Sequence, residues 1–157
     1  MLRIQNVSKT YPSGTQALKN VSFDVKDGEF MVVIGLSGSG KSTLLRCINR
    51  LIDPTEGKVI LDDVDVTAAA PTELRQIRRK IGYMSQSFSL YEELSVRANL
   101  DLHARLYQVP RADLAARIAD SMKRFDLEAI AERLPRDLSL GQRQRLQLAA
   151  ACLHKPR

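Results

Sequence analysis

The sequence predicts an α/β fold, and three observations carry that reading. The apolar run "EFMVVIG", residues 29–35, is continuous rather than alternating, as in a strand buried on both faces. It leads directly into a glycine-rich turn, "GLSGSGKST" at 35–43. The period then becomes helical, with Leu44, Leu45, Ile48 and Leu51 on one face.

The flanking elements follow in order. "LRIQNV" and "ALKNVSFDV" alternate as half-buried strands do, and "PSG" and "KDG" mark turns after them. "DPTEG" ends the first helix, "GKVILDD" reads as a further strand, "PTELRQIRRK" as a short basic helix and "IGYMS" as a short strand. From about Leu90 the pattern is helical. One helix runs over 95–109 with Ser95 as its cap and Pro110 closing it. A second, over 111–125, places Leu114, Ile118, Met122 and Phe125 on one face. After the loop "ERLPRD", a last helix from Ser139 stops before Pro156. The expected organisation is an α/β core at 1–89, a helical subdomain at 90–138, and a final helical segment at 139–157.

A chain of 157 residues, 44% hydrophobic and 27% charged, suits one globular domain or a piece of a larger one. The net charge of +6 favours anionic partners, or serves solubility alone. Cys47 and Cys152 lack CxxC spacing, and His103 and His154 stand singly, so a zinc site or disulfide framework is not expected. The start "MLRIQNVSKTY" has no apolar signal core, and no apolar run approaches the ~20 residues of a membrane span.

The glycine-rich turn fits G-x-x-x-x-G-K-[ST], from Gly35 through Ser37, Gly38 and Ser39 to Gly40, Lys41, Ser42 and Thr43. Each residue type has a reason. Glycines let backbone N–H groups turn inward around phosphate oxygens. Lys41 supplies a point charge to the β- and γ-phosphates, and the Ser42 hydroxyl is a ligand for Mg²⁺. The helix beginning here aims its positive end at the anion. Strand before and helix after is the context this chemistry requires, so a nucleoside triphosphate site is expected in preference to a plain flexible turn.

Three further features stand in a telling order. Tyr11 lies 24 residues before Gly35, after the strand "LRIQNV". Gln86 ends "IGYMSQ". "LSLGQRQRL", at 138–146, opens the last helix, with Ser139 and Gln142 spaced as a capping box. Singly, these read as a tyrosine packed at a strand end, a solvated loop glutamine and an ordinary helix cap. Together with the phosphate loop they resemble the ATP-binding cassette (ABC) transporter ATPase family over essentially the whole chain. The resemblance makes Tyr11 the A-loop aromatic that stacks on adenine. Gln86 becomes the Q-loop glutamine, which reaches Mg²⁺ and the attacking water. Ser139, Gly141 and Gln142 become the signature that faces the nucleotide of a second subunit; Leu140 takes the place of the usual third-position glycine.

The resemblance implies an α/β phosphate-loop NTPase core with an antiparallel β region and a helical subdomain. It implies ATP and Mg²⁺ as cofactors, and Lys41 and Gln86 as the catalytic residues. The partners it implies are a separate membrane permease and a head-to-tail second cassette, either a copy of this chain or an intact homologue. The subunit would lie in the cytoplasm, peripheral on the inner face of the membrane. "GLSGSGKSTLLRCINRLIDPTEG" resembles phosphonate-importer ATPases, whereas "YMSQSFSLYEELSVRANLDLHARLY" and the signature segment resemble multidrug or ABC-2 exporter ATPases. Phosphonate-type import and drug-type export are thus both implied, and a chimeric join near 60–82 is an alternative.

In the family an apolar strand ending in Asp-Glu, and later a switch histidine, follow the signature helix; the expectation is a chain truncated before them. Asp62, Asp63, Asp65, Glu92 and Glu93 are not placed to substitute. Little or no turnover is therefore expected of this chain alone, the alternative function is a non-catalytic nucleotide-binding fragment, and "FMVVI" is expected to become a sheet edge with exposed apolar side chains. A soluble relative acting on DNA or ribosomes is allowed by the charge, but the second cassette and long coiled coil of such proteins are lacking; no nucleic acid partner is expected.

Overall fold

The computed structural model describes residues 1–85 and 89–156. The chain divides into two compact units, Met1–Arg78 and Arg79–Arg157.

The first unit is built on a four-stranded antiparallel sheet. Its strands are β1 (Leu2–Thr10), β2 (Gln16–Val25), β3 (Glu56–Leu61) and β4 (Val64–Asp65), in the spatial order β2-β1-β3-β4. The registers Leu2↔Val25 and Leu2↔Leu61 put β1 in the middle. Asn6 has a positive φ of 51° where the β1–β2 register shifts, so Ile4 and Val7 both reach the core although simple alternation would separate them. β3 and β4 join through Asp62 and Asp63, at φ 48° and 66°, the two left-handed positions of a type I′ hairpin.

Two helices accompany this sheet, α1 (Lys41–Ile48) and α2 (Pro71–Arg78). α1 stops earlier than its sequence pattern suggests. Arg50 enters the left-handed region at φ 51°, and the N–H groups of Leu51 and Ile52 turn back to the Arg46 carbonyl. Arg78 supports this end by donating to the carbonyls of Asn49 (3.0 Å) and Arg50 (2.7 Å). The buried face also differs from expectation. Leu44 and Cys47 are buried, whereas Leu45 and Leu51 are exposed.

The largest departure is the run 29–35. It forms no strand: no ladder partner stands beside it among the described residues, and it lies outside the sheet. Phe30 is 89% exposed and Ile34 87%, with Met31, Val32, Val33 and Leu36 exposed between and after them. Among the described residues the segment has no strand partner on either side, rather than one as an edge strand would, because an apolar run becomes a buried strand only when neighbouring strands satisfy its backbone. "IGYMS" likewise forms no strand.

The second unit is helical. α3 (Val96–Leu106), α4 (Arg111–Arg124) and α5 (Leu140–Cys152) enclose a core that includes Val96, Leu100, Leu114, Ile118, Met122, Leu127 and Leu146. Each large side chain fully buried here, such as Leu100, Leu127 or Leu146, contributes about 1.5–3 kcal/mol. Ser95 caps α3 by accepting from the Ala98 N–H at 3.3 Å. Asp126, at φ 53°, ends α4, and the Leu127 N–H returns to the Met122 carbonyl. The predicted loop at 132–137 contains a short 3₁₀ turn, Pro135–Asp137.

Candidate functional site

The phosphate loop lies in the first unit. The Ser39 N–H closes its turn onto the Leu36 carbonyl at 3.2 Å. Gly40 is the N-cap of α1, with φ 91°, and a Cβ there would meet the Ala17 carbonyl oxygen at 2.3 Å. Only glycine satisfies both the left-handed backbone and the close approach to β2. The first N–H to bond within α1 is that of Leu44, to Gly40 at 2.8 Å. The N–H groups of Lys41, Ser42 and Thr43 thus form an open first turn, and no acidic residue and no side-chain cap competes for it.

Lys41 folds back over this loop. Its Nζ donates to the carbonyls of Gly35 (2.8 Å) and Leu36 (2.7 Å) and to the Ser39 hydroxyl (3.3 Å). The ammonium is thereby held where loop and helix N-terminus converge. Ser37, Gly38 and Ser42 are exposed, and Thr43 is half-buried. Tyr11 joins them from the β1–β2 turn, which is pinned by the Tyr11 N–H to Thr15 bond (2.9 Å). Its hydroxyl lies 3.3 Å from the Thr43 hydroxyl, and Lys9 Nζ sits 5.5 Å from its ring centroid. The structure therefore brings Tyr11, the glycine loop, Lys41 and Thr43 together. Under α1, burial pushes the Cys47 thiol up; the Lys9 charge opposes this.

The residues suit a magnesium nucleotide. Backbone donors and a lysine are offered to phosphate, and the exposed Ser42 hydroxyl is offered to a metal beside it. No group of three or more His, Cys, Asp or Glu side chains among the described residues could hold an ion alone, so a metal here would take most of its oxygens from phosphate and water.

The signature residues lie in the second unit. Ser139 accepts from the Gln142 N–H at 3.3 Å, and the Gln142 side chain accepts from the Ser139 N–H at 2.9 Å, closing the expected capping box. Leu140 is 64% exposed. A Cβ on Gly141 would meet nothing within 4 Å among the described residues, so no contact there demands glycine.

Gln86 lies outside the described residues. Its flanks do not, and two side chains that sequence reasoning missed, Gln147 and Asn99, bond to them. Gln147, on α5 and only 5% exposed, donates from Nε2 to the Ser85 carbonyl at 3.1 Å. The Ser85 and Ser89 hydroxyls are 3.2 Å apart. Asn99, fully buried on α3, accepts from the Tyr91 N–H and donates to the carbonyls of Tyr91, Leu94 and Ser95. The one available signal was a polar residue inside an apolar stripe, Asn99 beside Leu100 and Gln147 in "LQLAAA". Burial holds His103 below its ordinary pKa, partly opposed by a bond to the Ser89 backbone. His154 is lowered too, by burial first, and stacks on Tyr107 with ring centroids 3.8 Å apart.

A glycine loop at a helix N-terminus, with a lysine folded across it and a tyrosine at its side, defines the phosphate-loop class of nucleotide-binding folds. The ABC transporter family model matches residues 18–157, and the chain belongs to that family. It is 45% identical to the phosphonates import ATP-binding protein PhnC 2 of Synechococcus sp., over 99% of this chain and 61% of that protein. It is 40% identical to the methionine import ATP-binding protein MetN 1 of Bacillus thuringiensis, over 99% of this chain and 47% of that protein. These alignments run through residues 60–82, so neither is confined to one half of the chain. The chain spans about three fifths of the length of the PhnC proteins it matches. The dimeric post-hydrolysis structure of the ATP-binding cassette MJ0796, bound to ADP and Pi, superposes with a TM-score of 0.88 at 38% identity, covering 99% of this chain and 71% of that one. No helix among the described residues is long and apolar enough to cross a membrane.

Proposed function

We propose that this chain forms the nucleotide-binding part of an ABC transporter ATPase subunit, which couples ATP binding and hydrolysis to import of a phosphonate-type solute through a separate permease. The observation that carries the reading is the Lys41 ammonium held over the glycine loop at the start of α1. In this reading Gly35 to Thr43 wrap the phosphates, Lys41 neutralises the β- and γ-oxygens, and Tyr11 stacks on the adenine. Mg²⁺, when bound, would screen the phosphate charge, with Ser42 and Gln86 read as its ligands. The import role follows the PhnC relatives, and the cytoplasmic, membrane-peripheral position follows from that role.

The reading assigns 1–89 to the nucleotide-binding core, 90–138 to the permease-facing helical subdomain, and 139–157 to the signature segment. Ser139, Gly141 and Gln142 complete the site of a second cassette, packed head to tail. The open space at Gly141 supports this, since glycine costs helix stability and no close contact among the described residues requires it. The similar MJ0796 cassette is dimeric, which supports pairing of two cassettes.

A second reading, binding without turnover, draws on the carboxylates. Asp62 is paired with the N-terminal amine at 3.0 Å, Asp63 with Arg3, and Asp65 with Thr67. These contacts tie the three carboxylates to the β3–β4 hairpin and its neighbours.

Sedimentation velocity with and without MgATP tests the primary reading. The expected result is reversible, ATP-dependent dimerisation that Ser139→Arg abolishes without loss of ATP binding. A chain that binds ATP and stays monomeric at high concentration contradicts the head-to-tail arrangement.

A further inference from the structure

We propose that the cleft between α4 and the end of α5 is a binding site for a small organic monocarboxylate, with Arg117 and Ser121 holding the carboxylate and Phe125 and Leu153 taking its apolar body. The proposal is local to the second unit and does not depend on the nucleotide site.

Two polar groups on one side of α4 lack the partners their burial calls for. Ser121 is 6% exposed, and its hydroxyl meets no hydrogen-bond partner, not even the carbonyl one turn back that helical serines often use. A buried hydroxyl left unpaired costs stability, and alanine would occupy the position without that cost. Arg117, one turn earlier, has a side chain only 25% exposed, yet its carboxylate neighbour Asp113 stands at 3.9 Å, beyond hydrogen-bond reach. Most of the guanidinium's donors are thus open. The i, i+4 spacing sets Arg117 and Ser121 side by side. Both line one cleft of about 450 Å³, within the range of small-molecule sites.

Charge and walls select the ligand. Arg117, Arg124 and Lys155 line the cleft against Asp113 and Asp120. That leaves one positive charge, which complements a single carboxylate better than a phosphate dianion. An arginine fork beside a hydroxyl donor is suited to a planar carboxylate. Phe125 and Leu153 supply apolar wall, and half-buried Cys152 stands in the same lining.

Cys152 provides the readout. Iodoacetate is itself a small monocarboxylate and iodoacetamide its neutral counterpart, and with either the thiolate displaces iodide. The test measures both rates at Cys152 by peptide mapping of the full chain, native and urea-unfolded, for the wild type, Arg117→Gln and Ser121→Ala, with circular dichroism as the check on folding. The expected native rate with iodoacetate saturates, and the iodoacetate-to-iodoacetamide ratio exceeds that of the unfolded chain about tenfold; Arg117→Gln loses both features. Butyrate should slow iodoacetamide labelling where butyramide does not, and Ser121→Ala should weaken the butyrate effect about threefold. If Arg117→Gln folds poorly, Arg117→Lys, which keeps the charge and loses the fork, should still lower the ratio. A ratio equal to that of the unfolded chain overturns the site. So does an excess that rises linearly with iodoacetate and is suppressed as well by chloride as by butyrate, the mark of general attraction to a basic surface. If native Cys152 resists both reagents, thermal melts decide: a rise in melting temperature with butyrate that Arg117→Gln abolishes supports the site, and no rise overturns it.

Discussion

Gly40 and Gly141 are the same residue type under opposite constraints. At Gly40 a methyl group would collide with the Ala17 carbonyl on a backbone at φ 91°, so Gly40→Ala should destabilise the first unit by about 1–3 kcal/mol and disrupt the loop. At Gly141 a methyl group meets open space, and Gly141→Ala should stabilise α5 by about 0.5–1 kcal/mol. Chemical denaturation of the two variants should shift the midpoint in opposite directions, and equal destabilisation would remove the distinction. On the proposed head-to-tail reading, the same chain carrying Gly141→Ala should dimerise less readily with MgATP. Tyr11→Ala should weaken ATP binding by about 1–3 kcal/mol, the size of a base–aromatic stack, and leave inorganic triphosphate binding unchanged. Cys47, buried with its thiol pKa raised, should resist thiol reagents in the native state while half-buried Cys152 reacts first; rapid labelling of both would contradict the burial of Cys47.

At the scale of elements, legibility followed how local each signal is. The Ser95 cap, the Ser139–Gln142 capping box, the Pro110 break, the α4 stripe of Leu114, Ile118 and Met122, and the start of the phosphate-loop helix were all readable, because each depends on neighbours within a turn or two. The run 29–35 was not. Its apolar content is real, but whether it becomes a strand depends on distant ladder partners, and none stands beside it among the described residues. The hairpin β4 was missed because its signal is two aspartates at positive φ rather than the expected asparagine–glycine. Asn99 and Gln147 were missed because burial of a polar side chain is settled by tertiary packing. The exposed run carries its own prediction. Five consecutive large apolar residues, 30–34, should bind a hydrophobic dye and promote association, and Val32→Lys should reduce both without lowering the melting temperature of the first unit. Unchanged dye binding in Val32→Lys would place the apolar surface elsewhere.

For the molecule as a whole, the two units should respond differently to pH. His103 and His154 both lie in the second unit, and burial holds both below their ordinary value of 6.5. Between the folded and unfolded values the unfolded chain binds more protons than the folded one, so stability rises with pH there. The second unit should hold its full stability above about pH 6.5 and lose stability as pH falls below it. Thermal melts across that window, in the wild type and in His103→Gln, should show the loss shrinking in the variant. A melting temperature that is flat or rises on acidification would contradict the buried neutral histidines.

The central claim, that the glycine loop with Lys41 forms a nucleotide site, is tested most directly by calorimetric titration of MgATP into the wild-type chain and into Lys41→Ala. Saturable one-to-one binding in the wild type, lost in a Lys41→Ala variant whose circular dichroism is unchanged, is the expected result. Binding that survives Lys41→Ala undiminished, or no binding by a folded wild-type chain, would contradict the account.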